Sequence, residues 1–241
     1  LSGAEDGVPS PYLRTTPLAD AACRQGIRDL DRTLGMLFAY LEENYAPEDY
    51  LVNLYSDHGN SVFSAPTNGV IDVIGENSTR AVWMMRGAGI PEGIVTDELT
   101  SIADIYPTLG HLTGFPVAED IDGNLPAVFG GRQRDAAISM SMFPGQTYKL
   151  AVRTHTHTLR LETAGPLNEN GTANFADAKV AIYPRAHELE HGYERDSEEM
   201  RAFFYPRARK IVQVLANNGE IWPEMHAARP EWFGKDKKEQ R

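Results

Sequence analysis

Tyr50-Leu51-Val52-Asn53-Leu54-Tyr55-Ser56-Asp57-His58-Gly59 is the stretch on which the fold turns. Its first six residues form a short apolar and aromatic run that suits a buried strand, and Ser56 to Gly59 terminate it. In open α/β sheets, ligands collect beyond the carboxyl ends of the strands. Asp57 and His58 are therefore placed where a turn eased by Gly59 can bring a carboxylate and an imidazole toward one ion. An oxygen and a nitrogen donor together suit a divalent cation used as a Lewis acid. Read alone, the tripeptide fits equally well an Asp57 that caps a turn and a His58 that is merely solvated.

Upstream, Asp20 is positioned to cap a helix. Ile27, Leu30, Leu34, Leu37, Phe38 and Leu41 then recur at three- and four-residue steps, an apolar stripe along one helix face. Pro47 ends that helix region. Downstream, Ala81-Val82-Trp83-Met84-Met85 is a second buried-strand candidate, closed by Gly87 and Gly89. Ser101 to Leu112 reads as a helix with Ile102, Ile105, Leu109 and Leu112 inward, and Pro107 requires a kink or a late start. Helix, strand, loop, strand, helix is the order of an α/β layer fold built on a parallel sheet.

After Gly130-Gly131 the pattern changes. Ala137 to Met142, Tyr148 to Arg153, Thr158 to Glu162 and Lys179 to Tyr183 read as short strands, and Ser197 to Asn217 as a helix. Leu159 and Leu161 alternate with Arg160 and Glu162, the period of a half-exposed sheet. The expectation is an α/β core portion over 1–132 and a small α+β subdomain over 133–241, an antiparallel sheet with one packed helix. The first 20 or so residues read as an extended approach segment, and the polar tail from Lys235 as a fraying end.

The 241 residues carry 23 Lys plus Arg against 34 Asp plus Glu, a formal charge of −11. That sign argues against nucleic acid, where affinity comes largely from cations neutralising phosphates. The single cysteine, Cys23, excludes an intrachain disulfide and a multi-cysteine zinc site. No stretch approaches the roughly 20 apolar residues of a membrane span. The opening Leu1-Ser2-Gly3, without an initiator Met or a leader pattern, raises the expectation of a processed or excised piece.

Several blocks in order carry a family resemblance: Ile27-Arg28-Asp29-Leu30-Asp31-Arg32-Thr33-Leu34-Gly35, Tyr55 to Gly59, Thr79-Arg80-Ala81-Val82-Trp83, Gly87 to Gly93, Ser101 to Leu109, Gly114 and Asp122-Gly123. Together they resemble the sulfatase family of the alkaline-phosphatase-like superfamily, in its C-terminal part. Val8-Pro9, Tyr12-Leu13 and Thr16-Pro17 further resemble the sulfamidase-like branch. The resemblance implies hydrolysis of sulfate esters or sulfamates on a sulfated small molecule or saccharide. It also implies one divalent metal, usually calcium, with manganese or magnesium as alternatives. Asp57 matches a metal carboxylate of the family, and His58 the neighbouring ligand position, where many members have Asn.

Three departures accompany it. The family's N-terminal Asp pair and its C/S-x-P-x-R nucleophile motif are absent, and Cys23, without that Pro, reads as a small packing residue. Asn60 to Thr79 holds no Lys where the family places a sulfate-contacting one, so Arg80 (or Asn77) is the candidate substitute for binding substrate. The expected chain is thus inactive alone, its partner being a missing N-terminal half or another copy covering exposed sheet edges.

Competing signals lie in the second half. His187-Glu188-Leu189-Glu190-His191 matches H-E-x-x-H, which on a helix binds zinc in a metallopeptidase, although Pro184 and Gly192 bracket it closely. Glu220 is a conceivable third ligand. His155 and His157 share a strand face with Leu159 and Leu161, and the run Glu188 to Glu199 reads as a solvated face. Asn77-Ser78-Thr79 and Asn170-Gly171-Thr172 are glycosylation sequons. Trp222, Trp232 and Phe233 suit packing of the tail or an oligomer contact. A non-catalytic binding or assembly module is the remaining alternative.

Overall fold

A computed structural model describes residues 17–59, 72–143, 145–167, 173–175 and 177–216. Val8, Tyr12, Thr16, most of the Asn60 to Thr79 stretch, the Asn170 sequon, Glu220, Trp222, Trp232, Phe233 and the Lys235 tail lie outside the described residues. The chain divides into two compact units, Leu1–Asp135 and Ala136–Arg241.

In the first unit, helix α1 covers Pro17–Asn44 and strand β1 Leu51–Tyr55. The short helix α2 covers Glu76–Thr79, strand β2 Trp83–Gly87 and helix α3 Ile105–Thr113. Helix α1 starts at Pro17, three residues before the expected cap at Asp20. Proline suits the first helical position, where its missing N–H has no intrahelical partner to lose. The stripe on α1 is not buried: Ile27 is 63% and Leu30 51% exposed, and only Leu34, Phe38 and Leu41 are half-covered. The periodicity reports an amphipathic helix, and the described residues of this unit supply little to cover it.

β1 and β2 run antiparallel, not parallel, in the register Leu51 opposite Gly87 and Tyr55 opposite Trp83. The reason lies just past β1, where the chain returns alongside itself. Ser56 N–H donates to the Val82 carbonyl at 3.1 Å, and the Ser56 hydroxyl accepts from Val82 N–H at 2.9 Å. Arg86 on β2 pairs with Glu42 and lies over the Phe38 ring at 4.8 Å, tying α1 to the strand pair. Pro107 falls in the first turn of α3, preceded by a 3-10 turn at Ile102–Asp104, so the late start is what the chain adopts. Ile105, Leu109 and Leu112 are half-buried, whereas Ile102 is exposed. The buried Asp104 carboxylate accepts from Ser101 N–H (2.8 Å), Asn124 N–H (2.7 Å) and Arg134 Nε (2.9 Å), closing this unit's C-terminal loop.

The second unit is a four-stranded antiparallel meander: β3 (Ala137–Ser141), β4 (Thr147–Arg153), β5 (His157–Pro166) and β6 (Lys179–Pro184). Helix α4, Glu198–Ala216, follows. Tyr148, Leu150, Val152, Leu159 and Leu161 meet Phe204, Ala208 and Val212 in one buried cluster. Burying such side chains contributes about 1.5–3 kcal/mol each. Arg160, expected in solvent, is 7% exposed. Its face of the sheet carries Glu188, described below.

Candidate functional site

The turn after β1 presents Asp57 and His58 at the surface, their side chains 80% and 70% exposed. Each side chain has one polar atom engaged locally and one turned toward the other residue. Asp57 Oδ1 accepts the His58 backbone N–H at 2.9 Å. His58 Nδ1 contacts the Gly59 carbonyl, an acceptor, so in the neutral ring the proton sits on Nδ1 and Nε2 carries the lone pair. That Nε2 stands 3.6 Å from Asp57 Oδ2. Two ligands about 2.4 Å from one ion, at right angles, are about 3.4 Å apart. The observed spacing is close to that value, so the two atoms could serve as neighbouring donors to one ion.

Gly59 is what allows this turn. Its N–H donates to the Ser78 carbonyl at 2.9 Å, and a Cβ there would lie 2.1 Å from the Asn77 carbonyl oxygen. The backbone of α2 therefore lies directly against the turn, approachable only by glycine. Arg80 follows α2, and its Nη1 lies 3.5 Å from Oε1 of Glu76, whose side chain is 4% exposed. The candidate substrate cation is consequently engaged by a buried carboxylate. Sequence reasoning passed over Glu76, although the i, i+4 spacing from Glu76 to Arg80 was its visible signal. Asn77 buries its side-chain oxygen, which does not fit the role of an open sulfate contact or of an exposed sequon. Among the described residues, no group of three or more His, Cys, Asp and Glu is set to hold a metal ion. Cys23 sits half-buried on α1, as a packing residue does.

The H-E-x-x-H segment does not form the helix that zinc binding needs. Arg185–His187 is one 3-10 turn, and Leu189 has φ 66°, in the left-handed region, which interrupts any continuation. His187 stacks on Tyr193 at 3.9 Å, while His191 is fully solvated. Glu188 is neither a general base nor part of a solvated face, as the acidic run implied. It is fully buried, its Oε1 accepting from Arg153 Nη2 and Arg160 Nη1, both at 2.7 Å, and its Oε2 from Arg153 Nε at 3.2 Å. His155 lies in the β4–β5 turn and His157 opens β5, its Nδ1 2.9 Å from the Thr156 hydroxyl. Burial, and then the charge of Arg195, hold His157 below the usual histidine range, consistent with a neutral structural ring.

Comparison with known proteins bears on this arrangement. Residues 16–115 match the sulfatase family model, a span that contains α1, β1, the Asp57–His58 turn, β2 and α3. The N-acetylgalactosamine-6-sulfatase of Canis lupus familiaris is 29% identical over 155 residues, covering 57% of this chain and 30% of that protein. A solved structure described under the metabolism of multiple glycosaminoglycans by Bacteroides thetaiotaomicron superposes with a TM-score of 0.62 at 17% identity. That likeness covers 84% of this chain and 45% of the other. The chain thus spans less than half the length of either protein. The second likeness shows the fold, alkaline-phosphatase-like, and no more.

Proposed function

We propose, from a chain whose residues 16–115 match the sulfatase family model, that it is a sulfatase-family chain and that its Asp57–His58 turn is one side of the metal site of a hydrolase of sulfate esters or sulfamates. The observation that carries this is the 3.6 Å approach of His58 Nε2 to Asp57 Oδ2, each residue's other polar atom being held by the local backbone. Asp57 Oδ2 and His58 Nε2 would hold a divalent ion, calcium first, with manganese or magnesium as alternatives. When bound, such an ion neutralises charge on the sulfuryl oxygens as the ester or sulfamate bond breaks. Gly59 keeps the turn against α2, and Arg80, 3.5 Å from Glu76 at the end of α2, would be the substrate-contacting cation.

The substrate class is a sulfated small molecule or saccharide, which the name of the canine relative supports. Two protein donors are far short of the six to eight that calcium takes, so residues 1–241 by themselves should bind it weakly. With no nucleophile motif of the family in these residues, they should also release no sulfate. The test has two arms. Purified 1–241, with calcium or manganese added, should liberate no sulfate and no aryl alcohol from an aryl sulfate. In the complete enzyme, Asp57→Ala should abolish turnover with circular dichroism unchanged. Metal-dependent turnover by 1–241 that survives Cys23→Ala, or full activity of Asp57→Ala, would overturn the reading.

A further inference from the structure

Among the described residues, Asp57 and His58 form their side-chain hydrogen bonds inside their own turn: Asp57 Oδ1 with the His58 N–H, and the imidazole with the Gly59 carbonyl. Their place relative to the rest of the chain is therefore set by the two residues that flank them. On the far side, Gly59 N–H donates to the Ser78 carbonyl at 2.9 Å. On the near side stands Ser56, one step beyond the pair Tyr55–Trp83 and hence opposite Val82. A hydrogen-bonded pair in an antiparallel ladder exchanges two bonds, each N–H with the opposite carbonyl. Ser56 makes the first in the ordinary way, its N–H donating to the Val82 carbonyl at 3.1 Å. The second is altered, because Val82 N–H donates to the Ser56 hydroxyl at 2.9 Å. The side chain stands in for its own carbonyl, a competition with the ladder to which short hydroxyl side chains are suited. A carbonyl released from the ladder no longer has to point at β2, and the chain is free to turn away at Asp57. Both flanking attachments fall within Ser78 to Val82, the stretch that also contains Arg80.

We infer that Ser56 is a positioning residue for the Asp57–His58 pair: its hydroxyl ends β1 and sets the direction in which the two donors leave the strand. Without that hydroxyl, Val82 N–H meets the carbonyl of residue 56 and the ladder runs one pair further. Adjacent residues in a strand point to opposite faces, so this extension draws the Asp57 and His58 side chains apart. Threonine keeps the hydroxyl and suits an extended backbone, so it preserves the arrangement. The inference rests on the metal reading of the turn, and adds to it a residue that touches neither ion nor substrate.

Two measurements on Ser56→Ala, Ser56→Thr and Asp57→Ala test it. The first needs no metal: nitrogen-15 NMR of the neutral His58 ring in the complete enzyme, its signals assigned by their loss in His58→Gln. Wild type and Ser56→Thr should carry the ring proton on Nδ1, toward the Gly59 carbonyl, and Ser56→Ala should move it to Nε2. The second is calorimetric titration of the same proteins with calcium. Ser56→Ala should bind calcium about tenfold more weakly, the usual loss when an outer partner of a ligand is removed, and Ser56→Thr should match wild type. Asp57→Ala should lose binding altogether. Wild-type affinity in Ser56→Ala beside lost binding in Asp57→Ala would overturn the role of Ser56 and leave the metal site standing. Wild-type affinity in Asp57→Ala would overturn the metal reading and this inference with it. Equal losses in Ser56→Ala and Ser56→Thr, or a His58 tautomer that none of the Ser56 variants moves, would also overturn the role of the hydroxyl. So would unprotected β1 and β2 amides in Ser56→Ala, since the hydroxyl would then hold the strand pair and not the turn.

Discussion

His58 Nε2 and Asp57 Oδ2 stand 3.6 Å apart, too far for a hydrogen bond and close to the spacing of adjacent ligands on one cation. If the proposed site holds a metal, a nitrogen donor from His58 should leave a signature in metal preference. Calcium favours oxygen ligands, whereas imidazole suits later transition metals better. Replacing His58→Asn, the residue many family members carry, should therefore raise the ratio of calcium to manganese affinity, by an expected order of magnitude. His58→Phe should weaken both. Calorimetric titration of the complete enzyme reads the ratio directly, and an unchanged ratio in His58→Asn would remove His58 from the ligand set.

Gly59→Ala should do more harm than an ordinary surface substitution. The added Cβ would meet the Asn77 carbonyl oxygen at 2.1 Å and the Arg80 carbonyl oxygen at 2.9 Å, and neither is a flexible side chain that can move aside. Overpacking of this kind costs about 1–3 kcal/mol. The displaced turn should also lose metal affinity although neither donor has been touched. Thermal melting with and without calcium separates the two effects. A variant with wild-type melting temperature and wild-type affinity would mean that α2 does not hold the turn.

What was legible in the sequence follows from how local each interaction is. The run Tyr50 to Tyr55 and the strands of the second unit announce themselves through patterns a few residues long, and all six described strands appear within two to four residues of their expected ends. The pairing direction of β1 and β2 was not legible, because it depends on Ser56 and Gly59 bonding to Val82 and Ser78 across a long intervening stretch. Periodicity also predicts an amphipathic α1 without saying whether the same chain covers it. The sharpest case is Glu188. Its place in H-E-x-x-H is a spacing of five residues, but its role is set by Arg153 and Arg160, which lie 35 and 28 residues away. The same distant partner explains why Arg160 is buried where alternation placed it in solvent.

That arrangement makes Glu188 a stability determinant. Removing the buried carboxylate takes from two guanidinium groups an ion pair each makes in a desolvated place, and breaking such a buried pair costs about 3–5 kcal/mol. Glu188→Ala should lower the urea midpoint of the second unit accordingly, and Glu188→Gln should recover only part of the loss. His191→Ala, at a fully solvated side chain, should stay within about 0.5 kcal/mol of wild type. Bound zinc, measured by atomic emission, should be absent from all of these proteins. Stoichiometric zinc lost on His191→Ala would restore the metallopeptidase reading.

Tyr148 offers the clearest dependence on pH. Its ring is fully buried, edge-on to Phe175 with centroids 5.3 Å apart, and its hydroxyl has no hydrogen-bond partner among the described residues. Burial drives its pKa well above the usual phenol value. In the unfolded chain the phenol ionises near pH 10, while in the folded chain it keeps its proton. Above pH 10 the unfolded state therefore binds fewer protons, and stability must fall as pH rises, by up to about 1.4 kcal/mol per unit. Below pH 10 both states are protonated and the group adds no slope. Tyr148→Phe keeps the ring contact and removes an unpaired buried hydroxyl, so at pH 7 it should be neutral or stabilising by about 1 kcal/mol. At pH 11 its advantage over wild type should widen. Tyr183, also raised chiefly by burial, titrates in both proteins and cancels in the difference. Urea unfolding of the two proteins at pH 7, 9 and 11 measures that difference, and a gap that stays constant or narrows with pH would mean that the Tyr148 phenol ionises as readily in the folded chain as in the unfolded one.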